Sequence, residues 1–253
     1  MNIPKIYQFG IYQIYHYNEI KSTNDHAWNL ISNSNPKENV VIVADNQTHG
    51  KGQYGRKWES SIGKNITMTA IVAPKSLEIK NAFYLNIIVS LAICKVLEDH
   101  LKIKLKIKWP NDIYFKNRKL CGILIKNKIV NNQIKNSIIG MGINVNQNKF
   151  NQNLLNPTSM TLISNNIFDK KVLISEILLN LQYQFERVLD FGVSASCEDY
   201  NNRLFRKNIS TYFKVNKEEK ELSIIRVTET GLIQLKDASG ALIELSSGLE
   251  YIL

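Results

Sequence analysis

The sequence predicts an α+β protein, a mixed and largely antiparallel sheet with helices, followed by a small all-β tail. Strand-type and helix-type segments alternate through the first hundred residues. Four strand-type segments then follow in quick succession between Lys104 and Val145, joined by hairpin-like turns. Strands arriving without helices between them pair antiparallel. The last fifty residues or so break into short β segments separated by glycine-containing turns. A chain of 253 residues can bury one large core plus an appendage, so the expected division is 1–205 and 206–253.

Tyr12 to Tyr17 reads as a strand, and Ser22 or Thr23 caps a short helix running through Ile31. The continuous apolar run Val40 to Ala44 fits a buried strand. A glycine-rich loop follows, then a strand from Ile66 to Val72 and a long helix from about Lys80 to Leu101. Next come strands at Lys104–Trp109, Asp112–Phe115, Leu120–Ile125 and Ile134–Val145, with turns at Lys116-Asn117-Arg118 and Asn131-Asn132. Helices from about Lys170 to Leu189 and Ser194 to Leu204 close the larger unit. The tail carries β segments at Tyr212–Val215, Leu222–Val227, Leu232–Lys236 and Ala241–Leu245.

Composition excludes several classes. A hydrophobic content of 44% is ordinary for a globular chain. The net charge of +10 invites a nucleic-acid partner, but the lysines are scattered and accompany many Asn and Ile residues, so no basic face is implied. Cys94, Cys121 and Cys197 are odd in number and far apart, which argues against a disulfide framework or zinc site and for a reducing compartment. Met1-Asn2-Ile3-Pro4-Lys5 has no secretory pattern. The apolar stretch Ala82–Leu97 is interrupted by Asn86, Ser90 and Lys95, as in a buried helix rather than a membrane span. The expected location is the cytoplasm.

Gly50-Lys51-Gly52-Gln53-Tyr54-Gly55 satisfies G-x-G-x-x-G. The dinucleotide-binding form needs a helix at the third glycine, whereas here a strand follows. The kinase form needs H-R-D and D-F-G, which are absent, as is G-x-x-x-x-G-K-[ST]. What remains is a loop whose N–H groups can approach an anion, flanked by Lys51, Arg56 and Lys57, with Trp58 offering an aromatic face. On its own it reads equally well as a solvated basic hairpin. Lys108-Trp109-Pro110-Asn111-Asp112 sets a cation, an amide and a carboxylate around a proline-fixed turn able to hold phosphate and magnesium, or simply to end a strand. Lys119 opens the apolar strand Leu120-Cys121-Gly122-Ile123-Leu124-Ile125, where Gly122 permits close packing. A cation there could stabilise a reacting carboxylate or phosphate.

Together these segments resemble biotin–protein ligases. The resemblance rests on Ser22-Thr23-Asn24, on Gln47-Thr48-His49 through Trp58, on Lys108–Asp112, on Lys119–Leu124 and on Gly140-Met141-Gly142-Ile143-Asn144-Val145-Asn146, in that order. It extends over Asn156-Pro157-Thr158-Ser159 and the β tail. It implies a class II synthetase-like catalytic unit followed by an SH3-like barrel. It also implies a two-step reaction: ATP converts biotin to biotinyl-5′-adenylate, and a lysine of a biotin carboxyl carrier protein then accepts the biotinyl group. By resemblance, Ser22, Thr23, Asn24, Gln47, Gly50, Lys51, Gly52, Gln53, Lys119, Gly122 and Leu124 would bind biotin. Gln53, Arg56, Trp58, Asn111, Asp112, Lys119 and Asn144 would bind ATP or the adenylate. Lys119, Arg56 and Lys108 would be catalytic, and Asp112 would approach Mg2+.

Two positions depart from the family's G-R-G-R pattern. Lys51 keeps the charge of the first arginine without its bidentate fork, and Gln53 replaces the second. A looser grip on the adenylate is expected, compensated by Arg56 or Lys57. About twenty residues precede Ser22, too few for the helix-turn-helix of the repressor relatives, so no DNA partner is expected. The carrier is expected to belong to acetyl-CoA carboxylase or a related carboxylase. No membrane partner is expected, and the strands do not mark an edge for a homodimer. The nearest alternative is a lipoate–protein ligase of the same fold, and a basic nucleic-acid binder is a second.

Overall fold

The computed structural model describes residues 3–33, 39–74 and 77–252. Met1 and Asn2 of the amino-terminal stretch lie outside them. The larger sheet takes up β1 (Lys5–Phe9), β2 (Tyr12–Ile20), β3 (Val40–Gln47), β4 (Ile66–Val72), β5 (Lys106–Lys108), β6 (Asp112–Phe115), β7 (Arg118–Val130) and β8 (Gln133–Ile143). Their spatial order is β1-β2-β3-β4-β8-β7-β6-β5. Among the described strands of this sheet only β2 and β3 pair parallel, joined by the α1 (Thr23–Asn33) crossover, and every other hydrogen-bonded pair is antiparallel. The expected mixed, largely antiparallel sheet is the one observed.

Alternation along the strands gives the sheet two different faces. Val43, Met68, Met141 and Ile123 share one cross-strand row. That face meets α2 (Tyr84–Leu101), which is apolar around nearly its whole circumference because α4 (Lys170–Phe191) and α5 (Val193–Asn202) cover its back. The opposite face carries Val40, Ile42, Ile71 and Ile138, which pack on Ala27 and Ile31 of α1. α1 is short and leaves the rest of this face open for a site. Ile79–Leu101 is long and apolar enough to cross a membrane, yet most of it is buried here as the central core helix.

The tail forms a second sheet from β9 (Ser210–Val215), β10 (Glu218–Val227), β11 (Ile233–Asp237), β12 (Leu242–Leu245) and β13 (Leu249–Tyr251), ordered β12-β11-β10-β9-β13. It is of SH3-like type: β9 to β12 form a meander, β13 returns to pair with β9, and the register shifts in β10 between Ile224 and Arg226. Its apolar residues join the same core as those of the large sheet. The junction is specific: Asn201 donates to Val227 O at 2.9 Å and accepts from Val227 N at 2.6 Å, and Trp109 Nε1 donates to Gly231 O at 3.1 Å.

β7 is longer than hydropathy suggested, since Lys126–Lys128 keep pairing past the apolar run, whereas β8 begins one residue before the expected Ile134 and ends at Ile143, two residues before Val145. β5 is shorter than expected, since Lys104 and Leu105 lie before it. β1, β13 and the short helix α3 (Met160–Ser164) were not anticipated. Each is only three to five residues long, below what periodicity resolves.

Candidate active site

One row of register partners crosses the open face: Ala44, Thr67, Gly142, Gly122, Asp112 and Lys108. The two glycines at its centre leave a trough, and the side chains beyond them bring charge to one end. A cleft of about 1070 Å³ lies over this region, closed by the glycine-rich loop on one side and by residues 246–251 of the tail on another.

At the α1 end the polar groups are already arranged. Ser22 Oγ accepts from Asp25 N at 3.3 Å, which fixes the start of the helix. Gln47 Oε1 accepts from Thr23 N at 2.8 Å and from Thr23 Oγ1 at 3.0 Å. With its carbonyl used, Gln47 has only its amide N–H groups left to offer, and they are turned toward Gly50. Asn24 is a strut beneath: Thr69 Oγ1 donates to its Oδ1 at 2.6 Å and its Nδ2 donates to Leu124 O at 3.3 Å. Gly140 must be glycine here because a Cβ would overlap the Asn24 amide.

The glycine-rich loop is a small ordered hairpin. Lys51 and Lys57 form a bridge, Gly52 N donates to Arg56 O at 2.7 Å, and Trp58 N donates to Gly50 O at 3.0 Å. Tyr54 and Gly55 take positive φ at its tip, at 53° and 75°. Gly50 is buried behind the loop, where a Cβ would strike Trp58 O, so its part is to let the hairpin close. The Lys51 ammonium is taken by Asp25 at 2.7 Å.

Trp58 lies against the glycine floor. A Cβ on Gly142 would overlap its indole, and one on Gly122 would sit 3.1 Å from Cζ3. Its Nε1 is buried without a partner. Gly142→Ala is therefore expected to push the indole into solvent, moving tryptophan emission to the red while the melting temperature changes little. Unchanged emission would show that the indole is not held on this floor.

The charged end gathers Lys119, Asp112, Lys108 and Arg56 around the cleft. Lys119 Nζ pairs with Asp112 Oδ1 at 2.7 Å and lies 5.8 Å from the Trp58 ring. Its backbone is clamped by Lys119 N to Asn156 O at 2.7 Å and Thr158 N to Lys119 O at 2.9 Å. Burial pushes the Lys108 ammonium down to about 8; Asp112 opposes that, and Lys119, Arg56 and Arg206 add to it. Asn111 is tied to β7, its Nδ2 donating to Ile123 O and its own O accepting from Ile123 N at 3.0 Å. Asn144 Nδ2 donates to Thr158 O at 2.9 Å, which leaves Asn144 Oδ1 buried and unpartnered on the cleft wall.

Every candidate residue expected from the sequence lines this cleft except Gly50. Asn24 and Asn111 line it with side chains already committed to the fold. Gln53 opens the hairpin's tip turn, its carbonyl accepting from Arg56 N at 3.1 Å. Sequence reasoning missed Gly140 and Gly142 as floor positions, although both lie inside a quoted motif. It also missed Tyr114 and Tyr251, which carry no motif at all.

A family model described as the Biotin/lipoate A/B protein ligase family matches residues 17–144. The chain is 31% identical over 186 residues to the bifunctional ligase/repressor BirA of Bacillus subtilis, covering 72% of this chain and 56% of that protein. It is 27% identical over 115 residues to the biotin–[acetyl-CoA-carboxylase] ligase of Mycobacterium tuberculosis, covering 44% of this chain and 41% of that protein. It thus spans about half the length of the curated relatives it matches. Among solved structures, a biotin protein ligase from Aquifex aeolicus in complex with biotin and ATP aligns with TM-score 0.78 at 23% identity, covering 93% of this chain and 96% of that one. One from Leishmania major in complex with biotinyl-5-AMP aligns with TM-score 0.64 at 22% identity, over 92% and 98%. At those identities the likeness is one of fold.

Proposed function

The chain belongs to the biotin/lipoate A/B protein ligase family, and from that premise we propose that it activates biotin with ATP and transfers the biotinyl group to a lysine of a biotin carboxyl carrier protein. The observation that carries this reading is the order of chemistry across the open face. Amide donors stand near Thr23, a glycine floor follows, and cations gather at Lys119 and Lys108. That order suits an acid with a polar ring, an apolar tail and a terminal carboxylate.

In the first step a biotin carboxylate oxygen attacks the α-phosphorus, the bond to the bridging oxygen breaks, and pyrophosphate leaves with the electron pair. Two anions must meet, and charge grows on the phosphate as they do, so cations fixed beforehand favour the transition state over the ground state. Lys119 would reach both carboxylate and α-phosphate, releasing Asp112 as it does so. Arg56 and Lys108 would hold the remaining phosphate charge. The glycine-rich hairpin, with Ser22, Gln47, Lys51, Gly52 and Gln53, would close over biotin, and Gly122 and Leu124 would line its tail. The unpartnered Asn144 Oδ1 would accept from the adenine amino group, and Trp58 would leave the floor to stack on the base. In the second step a carrier lysine amine attacks the acyl carbon, an amide forms, AMP departs, and the proton passes to solvent.

No cluster of three or more His, Cys, Asp or Glu suited to a metal occurs among the described residues. A single carboxylate, Asp112, fits a magnesium ion held mainly by nucleotide phosphates, which would offset their charge. Three buried free cysteines accord with a reducing, cytoplasmic setting.

The deciding experiment incubates carrier domains with ATP and either biotin or lipoate. Biotin transfer is expected on a streptavidin blot, and transfer from lipoate alone would overturn the reading. A second expected result follows from Lys108. It is charged below about pH 8 and neutral above, so ATP affinity of the free protein should fall as pH rises through 8. Lys108→Arg, charged throughout, should remove that fall in a nucleotide titration from about pH 7 to 9.5.

A further inference from the structure

Lys108 does not reach the cleft alone. Its Nζ lies 5.1 Å from the centroid of Tyr114 on β6 and 4.7 Å from that of Tyr251 on β13, the last strand of the tail. It also donates to Tyr114 Oη at 3.3 Å. The two tyrosines belong to one aromatic run: Tyr114 meets Phe205 at 5.3 Å, Phe205 meets Tyr251 at 5.9 Å, and Tyr251 meets its register partner Phe213 at 5.1 Å. Arg206 fastens the strand's end, donating to Ile252 O at 2.8 Å. The Tyr251 ring is thus fixed from behind while its face is presented to a cation in the cleft.

The hydroxyl is not what this placement uses. Tyr251 Oη is buried and approaches the Trp109 backbone N–H without making a well-formed hydrogen bond to it. A buried phenol so poorly paired is a cost to the fold, and the part of the side chain that meets the cation is the ring. A ring face within about 6 Å of an ammonium attracts it, more strongly when water is kept out. The lysine stem alone has four rotatable bonds and would otherwise wander across the mouth of the cleft.

We infer that Tyr251 is a positioning residue for the adenylation step, its ring holding Lys108 at the phosphate end of the cleft so that the tail sets the protein's affinity for ATP. The inference rests on the proposed ligase reaction and assigns the tail a part in it that no motif marks. It also accounts for the tail's last strand being folded against the large sheet, where residues 246–251 form a cleft wall.

The test measures biotin-dependent ATP–pyrophosphate exchange in the whole chain. Tyr251→Leu should raise KM for ATP about 5- to 10-fold, with KM for biotin and kcat within about twofold. Tyr251→Phe should behave like the parent protein. On a Lys108→Met background, Tyr251→Leu should change KM for ATP by no more than about twofold, because the ring then has no cation to hold. Should Tyr251→Leu fold poorly, phenylalanine carrying one, two or three ring fluorines at position 251 replaces it. These keep the shape and weaken the ring face in steps, so KM for ATP should climb in the same order. A KM for ATP that ignores ring fluorination, or a loss in Tyr251→Phe as large as in Tyr251→Leu, would overturn the inference. Absence of any exchange in the parent protein would instead overturn the ligase reading.

Discussion

Lys119→Ala should lower biotin-dependent ATP–pyrophosphate exchange by about 10²- to 10³-fold while leaving biotin binding within a few-fold. The size follows from two losses at once. The substitution removes the cation that would bridge the carboxylate and the α-phosphate. It also leaves Asp112, now paired with Lys119 at 2.7 Å, as a bare anion on the path of an anionic substrate. The second loss can be separated from the first. Lys119→Ala combined with Asp112→Asn should recover part of the rate, because the bare carboxylate is gone although the cation is still missing. Exchange within tenfold of the parent protein in Lys119→Ala would remove Lys119 from the reacting centre. No recovery in the double variant would mean that Asp112 serves the reaction in its own right, as a magnesium ligand would. The fold should tolerate both changes, since the strand is held by Lys119's backbone bonds to Asn156 and Thr158 rather than by its side chain.

The sequence was most legible where chemistry depends on local spacing. Strand β4 was bounded correctly from its apolar run, and α2 was recognised from a stretch too polar for a membrane and too apolar for a surface. The cation-bearing segments of the site are each continuous in sequence, so their residue types could be read directly. What could not be read was which side chains were already spent. Asn24 and Asn111 look like ligand groups in a motif, but they bind backbone carbonyls of β7, Leu124 O at 100 residues' separation and Ile123 O at 12. Lys51 keeps the family's charge, yet Asp25 claims it. Gly142 was quoted within a motif, but only cross-strand register makes it and Gly122 one floor under Trp58. Tyr251 needed the tertiary fold most of all, because it meets Lys108 only once the tail has packed on the large sheet.

That distinction between spent and free groups yields a sharp test of substrate identity at Gln47. Its carbonyl accepts from Thr23 N at 2.8 Å and Thr23 Oγ1 at 3.0 Å, so only its amide N–H groups remain for a ligand. Gln47→Glu preserves the shape and both bonds from Thr23, and replaces the free donor with an acceptor. A biotin ureido oxygen would lose its hydrogen bond and face a carboxylate instead, in a position where an unmade bond costs about 1–3 kcal/mol. Biotin affinity should therefore fall about 10- to 100-fold in a calorimetric titration, with ATP affinity unchanged. Gln47→Leu is the less informative substitution, because it also orphans Thr23 N and disturbs the start of α1. Lipoate carries no ureido group, so a lipoate ligase with this cleft would be nearly indifferent to Gln47→Glu. Biotin binding that survives Gln47→Glu would move the polar ring away from α1, and with it the direction in which the acid lies along the glycine floor.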